Sequence, residues 1–274
     1  MSAPPDGGTL PPPDVWPRPE GGASNDLAAF EAEFAAIATA RGFAPERLGD
    51  ALGHAITRWQ RPADAAPDGA PRLLIASGFH GNESAGPWGL VLALRLLPQA
   101  LLARVHLSLL PLVSGSGFTA GRRLNALGQN PNRGMGGHGG AHAPSAEGEV
   151  LLRHGERLAA AARDGVLACH EDLTRPWAYV YSFEPQATPG PFSQCLVAAG
   201  ARWFTLAPDG DVDGCTVRGG LIHNHFDGSF ECWMTECGAA VAACIETPGR
   251  ADFARRTQAQ AAMVLEFLAQ RAPG

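Results

Sequence analysis

Lysine is absent from this sequence of 274 residues: every one of its 21 Lys+Arg positions is arginine. Without an ε-amine, Schiff-base and pyridoxal chemistry are excluded. So are the Gly-Lys-Ser/Thr phosphate loop and the strand lysine of protein kinases. No Gly-x-Ser-x-Gly elbow occurs, which removes the nucleophile turn of serine hydrolysis. The formal net charge of −6 comes without any basic block, so nucleic acid finds no electrostatic footprint. The longest apolar run, residues 90–97, contains Arg95 and is closed by Pro98; it is too short to span a bilayer. Neither nucleic acid nor membrane is expected as a partner.

Signals of export are missing as well. The opening Met1-Ser2-Ala3-Pro4-Pro5-Asp6 has no basic segment and no apolar segment of the secretory kind. Six cysteines, Cys169, Cys195, Cys215, Cys232, Cys237 and Cys244, contain no C-x-x-C pair. They read as free, mostly buried thiols of a reducing compartment, with Cys232 and Cys237 the one conceivable pair. A soluble, cytoplasmic protein is expected.

What is present suits an enzyme core. With 45% hydrophobic and 18% charged residues, the chain can bury one large α/β domain. Residues 1–24, rich in proline and glycine, read as an extended arm, and residues 25–274 as the domain. Asn25 and Asp26 offer cap oxygens to a helix over 27–41, with Leu27, Phe30, Phe34 and Ile37 in helical spacing. A buried strand over 73–77 runs into Gly78-Phe79-His80-Gly81-Asn82-Glu83, after which Asn82 or Ser84 caps an apolar helix to about Leu97. Further strands are expected over 105–113, 165–169, 178–183, 201–206 and 239–246, with helices over 145–163 and 250–271. A Gly/Asn-rich loop spans 114–142, and no internal repeat is visible.

Strands alternating with helices define an α/β sheet covered on both faces. Ligands of such sheets collect at the carboxyl ends of the strands. Three of the expected strands end in reactive groups: His80 with Glu83, His170 with Glu171, and Glu246. On its own, an H-x-x-E turn is more often a helix-capping arrangement than a metal site. Joined by His170 from another strand end, it becomes two imidazoles and a carboxylate with a coordination position left for water, the arrangement of hydrolytic zinc.

The ordered set Gly78-Phe79-His80-Gly81-Asn82-Glu83, the stretch from Arg123-Leu124-Asn125 to Asn130-Pro131-Asn132-Arg133, His170, and Ile245-Glu246-Thr247-Pro248 resembles the signature of the zinc carboxypeptidase superfamily. The likeness is closest to its short bacterial cytoplasmic branch, which includes murein-tripeptide amidases; aspartoacylases and succinylglutamate desuccinylases share much of it. It runs over about residues 45–255, carried by some twenty positions. It implies one α/β domain with a mixed, mostly parallel central sheet flanked by helices on both faces. It also implies one Zn2+ per chain held by His80, Glu83 and His170, with Arg123 facing the oxyanion and Asn132 and Arg133 holding a substrate carboxylate. Glu246 would be the general base toward the metal-activated water and then the acid toward the leaving amine. A guanidinium fork matches a carboxylate well, and a cation facing a developing oxyanion stabilises it.

Two departures stand out. Asn130 occupies a position where the family usually has an aspartate that orients the first zinc histidine, and amide loses the charge that raises ligand basicity. Ser114-Gly115-Ser116-Gly117-Phe118 lacks the family's usual Asn-Pro pair. Elsewhere, His223 and His225 flank Asn224 and read as pocket lining or a surface strand, with a second metal at His223, His225 or Glu171 left open. Glu171 and Asp172 read equally as supports for the site or as capping carboxylates. Tyr179 and Tyr181 are the chain's two tyrosines; either could stand over a substrate, and at least one is expected to pack within the sheet. Asp209-Gly210-Asp211-Val212-Asp213-Gly214 begins like a calcium loop, but Gly220 stands where the bidentate glutamate is needed, leaving an acidic turn. His138 and His142 read as part of a loop near the site.

The expectation is a zinc-dependent metallocarboxypeptidase that hydrolyses an amide bond near the free carboxylate of a small peptide. N-acyl-amino-acid deacylation of the aspartoacylase kind is the alternative, and those enzymes carry a further β-rich domain, whereas the stretch after Glu246 reads mostly as one helix. An inactive, binding-only relative is a third reading, disfavoured because a binder has no need of Glu246.

Overall fold

The computed structural model describes residues 16–17, 25–137 and 142–272. The expected arm therefore lies outside the described residues except for Trp16 and Pro17, and so does His138. Nine α-helices among the described residues surround an eight-stranded sheet and a separate two-stranded ribbon.

Helix α1 (Leu27–Ala40) opens where expected, with the Asp26 side chain accepting from the Ala29 N–H. A hairpin not anticipated from the sequence follows: β1 (Ala44–Ala51) and β2 (His54–Gln60), joined through Leu52 and Gly53 at positive φ. Two consecutive residues at φ > 0 make the tight turn whose twist suits a hairpin. Strand β3 (Arg72–Ser77) leads to α2 (Ala85–Leu96), α3 (Gln99–Leu102), β4 (His106–Leu110) and α4 (Gly115–Ala120). The expected helix over 145–163 is two helices, α5 (Ala146–Arg153) and α6 (Gly155–Ala161), turned at His154. Gly155 fits beneath Trp233, where a Cβ would stand 3.0 Å from the indole.

Strand β5 (Gly165–Asp172), buried along its whole length, is followed by β6 (Tyr179–Phe183) and α7 (Pro191–Ala201). The expected strand over 201–206 does not form. The N–H groups of Trp203 and Phe204 instead close a helical turn onto the Gly200 carbonyl, and Leu206 makes one isolated bridge to Ala178. The Asp209–Gly214 stretch contributes to the ribbon of β7 (Gly210–Val212) and β8 (Cys215–Val217), turned through Asp213 and Gly214. Then come β9 (Leu221–His223), α8 (Phe230–Glu236), β10 (Ala242–Pro248) and α9 (Phe253–Arg271).

The sheet runs β1-β2-β4-β3-β5-β10-β6-β9. The β4-β3-β5-β10 block is parallel, β6 runs against β10, and the β1–β2 hairpin joins at the far edge in antiparallel fashion. Leu74, Ile75, Val166, Leu167, Ala243 and Ile245 line the inside of that block without measurable exposure. Each such leucine, isoleucine or valine side chain contributes about 1.5–3 kcal/mol by leaving water. All six cysteines are free thiols; Cys169, Cys215, Cys232 and Cys244 are buried and Cys237 is exposed. Among the described residues no helix is long and apolar enough to cross a membrane.

Two glycines let α2 settle deep between its neighbours. A Cβ on Gly86 would stand 2.9 Å from the Cys169 carbonyl of β5, and one on Gly89 would stand 2.5 Å from Cβ of Gln260 on α9. The helix is not capped by its own Ser84 or Asn82, as the sequence suggested. Its first N–H, that of Ala85, donates to the Glu171 carboxylate at 2.8 Å, an acceptor supplied by β5. Replacing Gly89 by alanine is expected to overpack the α2–α9 contact and to cost about 1–3 kcal/mol. Urea unfolding should show a lower midpoint at an unchanged m value.

Candidate metal centre

The carboxyl ends of β3, β5 and β10 lie side by side. In register, Ser77 pairs with Cys169, and His170 with Glu246. The turn after β3 therefore brings His80 and Glu83 beside His170, with Glu246 one strand further on. Gly81 allows this turn to press on its neighbour: a Cβ there would stand 1.8 Å from the Gly117 carbonyl carbon. The Gly81 N–H donates to the Arg122 carbonyl at 2.9 Å, which ties the arginine loop to the same turn.

His80, Glu83 and His170 are all buried, and among the described residues they form a group whose ligand atoms lie within 4.8 Å of one another. Nδ1 of His80 lies 2.7 Å from Oε1 of Glu83, and Nδ1 of His170 lies 2.7 Å from Oε2. Burial acts to raise the Glu83 carboxyl, yet the two histidines bring it well below the usual carboxylate range. Burial lowers His80, favouring the neutral imidazole that a metal takes as ligand.

The donor set can be tested for its fit to a cation. Asn130 Oδ1 accepts the Asn132 N–H at 3.0 Å, so it is the carbonyl oxygen of that amide, and it lies 2.9 Å from Nε2 of His80. Nε2 thus carries a proton. Two imidazoles and a carboxylate whose ligand atoms lie within 4.8 Å of one another are a donor set that fits a metal ion, which would take the place of the hydrogen bonds between the histidines and Glu83. Asn130 also performs the orienting task expected of an aspartate, without its charge.

Helix α9 backs the cluster from behind. Gln260 Nε2 donates to the His170 carbonyl at 2.6 Å and to Thr247 Oγ1 at 3.0 Å. Arg256 pairs with the buried Glu171 carboxylate, whose backbone N–H donates to Glu83 Oε2 at 3.2 Å. Glu171 thus fills both expected roles, one oxygen accepting the first N–H of α2 and the other pairing with Arg256 behind the cluster. Burial pushes its carboxyl up to about 7, against the pull of Arg256 and the Ala85 amide.

A cavity of about 450 Å³ opens in front of the cluster and takes in His80, His170, Arg123, Asn132, Arg133 and Glu246. Arg123 stands half in solvent and donates to Glu83 Oε1 at 3.0 Å. Its loop is held by Asn125, which donates to the buried Glu147 at 2.7 Å, and Glu147 also accepts from Ser114 Oγ at 2.9 Å. Ser114 itself caps α4, so the segment without the family's Asn-Pro pair is a short helix. Asn132 is buried, with Oδ1 accepting from the Phe230 N–H at 2.8 Å and Nδ2 3.2 Å from Nε2 of His170. Arg133 donates to the Asn132 carbonyl at 2.7 Å and pairs with Asp227 at 2.8 Å. Glu246 has one carboxylate oxygen buried without a hydrogen-bond partner, and burial, with Glu83 nearby, raises it well above the usual range.

Both tyrosines line this cavity, because residues two apart on a strand share a face; Tyr179, only 3% exposed, also packs in a core cluster with Ala207, Val212, Val217 and Ile222, as expected of at least one of them. Tyr179 donates to Asp172 at 2.8 Å, and burial pushes both phenols well up, so they stay protonated donors. His225 lines the cavity, whereas His223 is turned away and held by Ser182 at 3.1 Å and the Gln186 carbonyl at 3.0 Å. Asp227, Glu231, Glu147, Arg256 and Gln260 were not singled out from the sequence. None stands in a motif, and each reaches the site from a distant element.

The fold has close counterparts among solved structures. A protein of Shewanella amazonensis assigned as a metallopeptidase is 45% identical over 91% of this chain and 95% of its own, with a TM-score of 0.86. One of Shewanella denitrificans, assigned likewise, is 48% identical over 91% and 92%, with a TM-score of 0.85. The murein-tripeptide amidase of Escherichia coli shares the fold at 18% identity, over 84% of this chain and 92% of its own, with a TM-score of 0.55. No family model and no curated protein matches the sequence. The fold and the His-Glu-His group define a metallopeptidase-type hydrolase. The chain belongs to the same metallopeptidase family as these two Shewanella proteins.

The Asn130→Asp variant is expected to bind metal about tenfold more tightly, because a charged acceptor raises the basicity of His80. Competition against a chelating dye measures the change; equal or weaker binding would count against an orienting role for Asn130.

Proposed function

We propose that the protein is a zinc metallocarboxypeptidase that hydrolyses an amide bond close to the free carboxylate of a small peptide. The observation that carries this reading is the position of Glu246. It lies beside His170 in register, on the wall of the cavity, with a carboxylate oxygen that no protein group satisfies. Its other oxygen meets only the thiol of Cys244, at 3.8 Å.

Zinc held by His80, Glu83 and His170 would supply a Lewis acid that polarises the carbonyl and activates water. The Glu246 carboxylate takes the proton from the attacking water as the new C–O bond forms. It then delivers that proton to the amide nitrogen as the C–N bond breaks, which is favoured by an environment that raises its affinity for protons. Arg123, half-exposed at the mouth, turns its guanidinium to the oxygen on which negative charge develops. Such a donor is worth about 3 kcal/mol. Arg133 anchors the substrate carboxylate, with the Asn132 carbonyl fixing its guanidinium from below.

A panel of short peptides, γ-glutamyl-diaminopimelate muropeptides and N-acyl amino acids against the zinc-loaded protein tests the assignment. Peptides should be cleaved; turnover of N-acyl amino acids alone would move the protein to the deacylases. Glu246→Gln should lower kcat by at least about a hundredfold while metal binding persists. In the wild type, activity requires ionised Glu246, so kcat/KM falls with falling pH, along a limb lying above the 4.5 of an ordinary glutamate.

A further inference from the structure

We propose that Asp227 is a resident competitor for the guanidinium of Arg133 and thereby sets the affinity of the site for the substrate carboxylate. The inference rests on the reading of Arg133 as the carboxylate anchor. Both side chains line the cavity, and Nη2 of Arg133 lies 2.8 Å from Oδ2 of Asp227. The opposite nitrogen, Nη1, donates to the Asn132 carbonyl at 2.7 Å. Each of the two outer nitrogens of the fork therefore already has an acceptor before any substrate arrives.

The competitor is fixed in place. Oδ1 of Asp227 accepts the Ser229 N–H at 3.1 Å, at the foot of α8. The next carbonyl, that of Gly228, accepts from Met135 at 3.0 Å, which pins the Asp227 loop to the loop that carries Arg133. The ion pair is about one quarter exposed, with side-chain accessibilities of 31% for Arg133 and 22% for Asp227. A carboxylate seeking the bidentate face of the guanidinium meets a second carboxylate already there. Whether it replaces Asp227 or shares the cation with it, the like charge weakens its binding. Asp227 thus discriminates against substrates whose hold on the site depends on the carboxylate alone.

The test is calorimetric titration of the zinc-loaded full chain with 3-phenylpropanoate, a monocarboxylate, and with its uncharged amide. Asp227→Asn keeps an oxygen for the Ser229 N–H, and Asp227→Ser does so with a shorter side chain. Thermal unfolding of each establishes that it is folded. Both variants should bind the acid about three- to tenfold more tightly than the wild type and leave binding of the amide unchanged. The gain should vanish when Arg133→Ala is added. Weaker binding of the acid by the Asp227 variants would show Asp227 to be an orienting partner and overturn the proposal. Unchanged binding, with Arg133→Ala still weakening the acid, would overturn it while leaving the anchor reading of Arg133 intact. If Arg133→Ala leaves the acid unaffected, the anchor reading fails and the competitor role with it.

Discussion

The carboxylate of Glu83, one oxygen 2.7 Å from His80 and the other 2.7 Å from His170, is the contact on which the arrangement of the site depends. An ionised group taken out of water costs several kcal/mol unless it is surrounded by partners of opposite polarity. Here the partners come from three places: the turn after β3, the end of β5 and the arginine loop. Each must be in position for Glu83 to be tolerated at all. The parallel β3-β5-β10 block supplies that positioning, since it brings three strand ends to one edge in fixed register. The helix that follows Glu83 is in turn gripped by Glu171 and seated through Gly86 and Gly89, so the carboxylate is anchored from both sides.

Around this centre the charges sort by exposure. Arg256 and Glu171 are buried together behind the metal cluster, where they support the backbone. Arg123 and Arg133 stand at the cavity wall, each held by an internal carboxylate, that of Glu83 and that of Asp227. Among the described residues these two of the 21 arginines line the cavity, and each is already held by a carboxylate. On the proposed reading the absence of lysine has no consequence, because planar forks suit carboxylate and oxyanion better than a point charge does.

Much of this was legible in the sequence because it is written locally. The H-x-x-E turn follows a strand whose residues 73–76 are all apolar, and Asn130 to Arg133 are consecutive enough to be seen as a unit. The parallel strands read clearly since each carries an apolar stretch, over 73–76, 109–110, 166–169 and 242–245. The β1–β2 hairpin was missed because its positions alternate poorly: charged Glu46 and Arg58 pair across it, and a bulge at Arg47 and Gly49 breaks the register. The run of residues 201–206 has strand-like composition, yet it is captured by the end of α7. Gln260, Arg256 and Asp227 carry no motif. Their importance arises from which strand end or loop they touch, and that is decided only by packing.

The backing given by α9 has a bearing on how the protein is made. Gln260 follows His170, whose carbonyl it holds, by 90 positions in the chain, and Arg256 follows Glu171 by 85. Synthesis proceeds from the amino end, so the ligands leave the ribosome long before the groups that fix them. A metal ion arriving in that interval meets histidines and a carboxylate without a rigid frame. The frame behind His170 and Glu171 is therefore complete only once α9 has been synthesised.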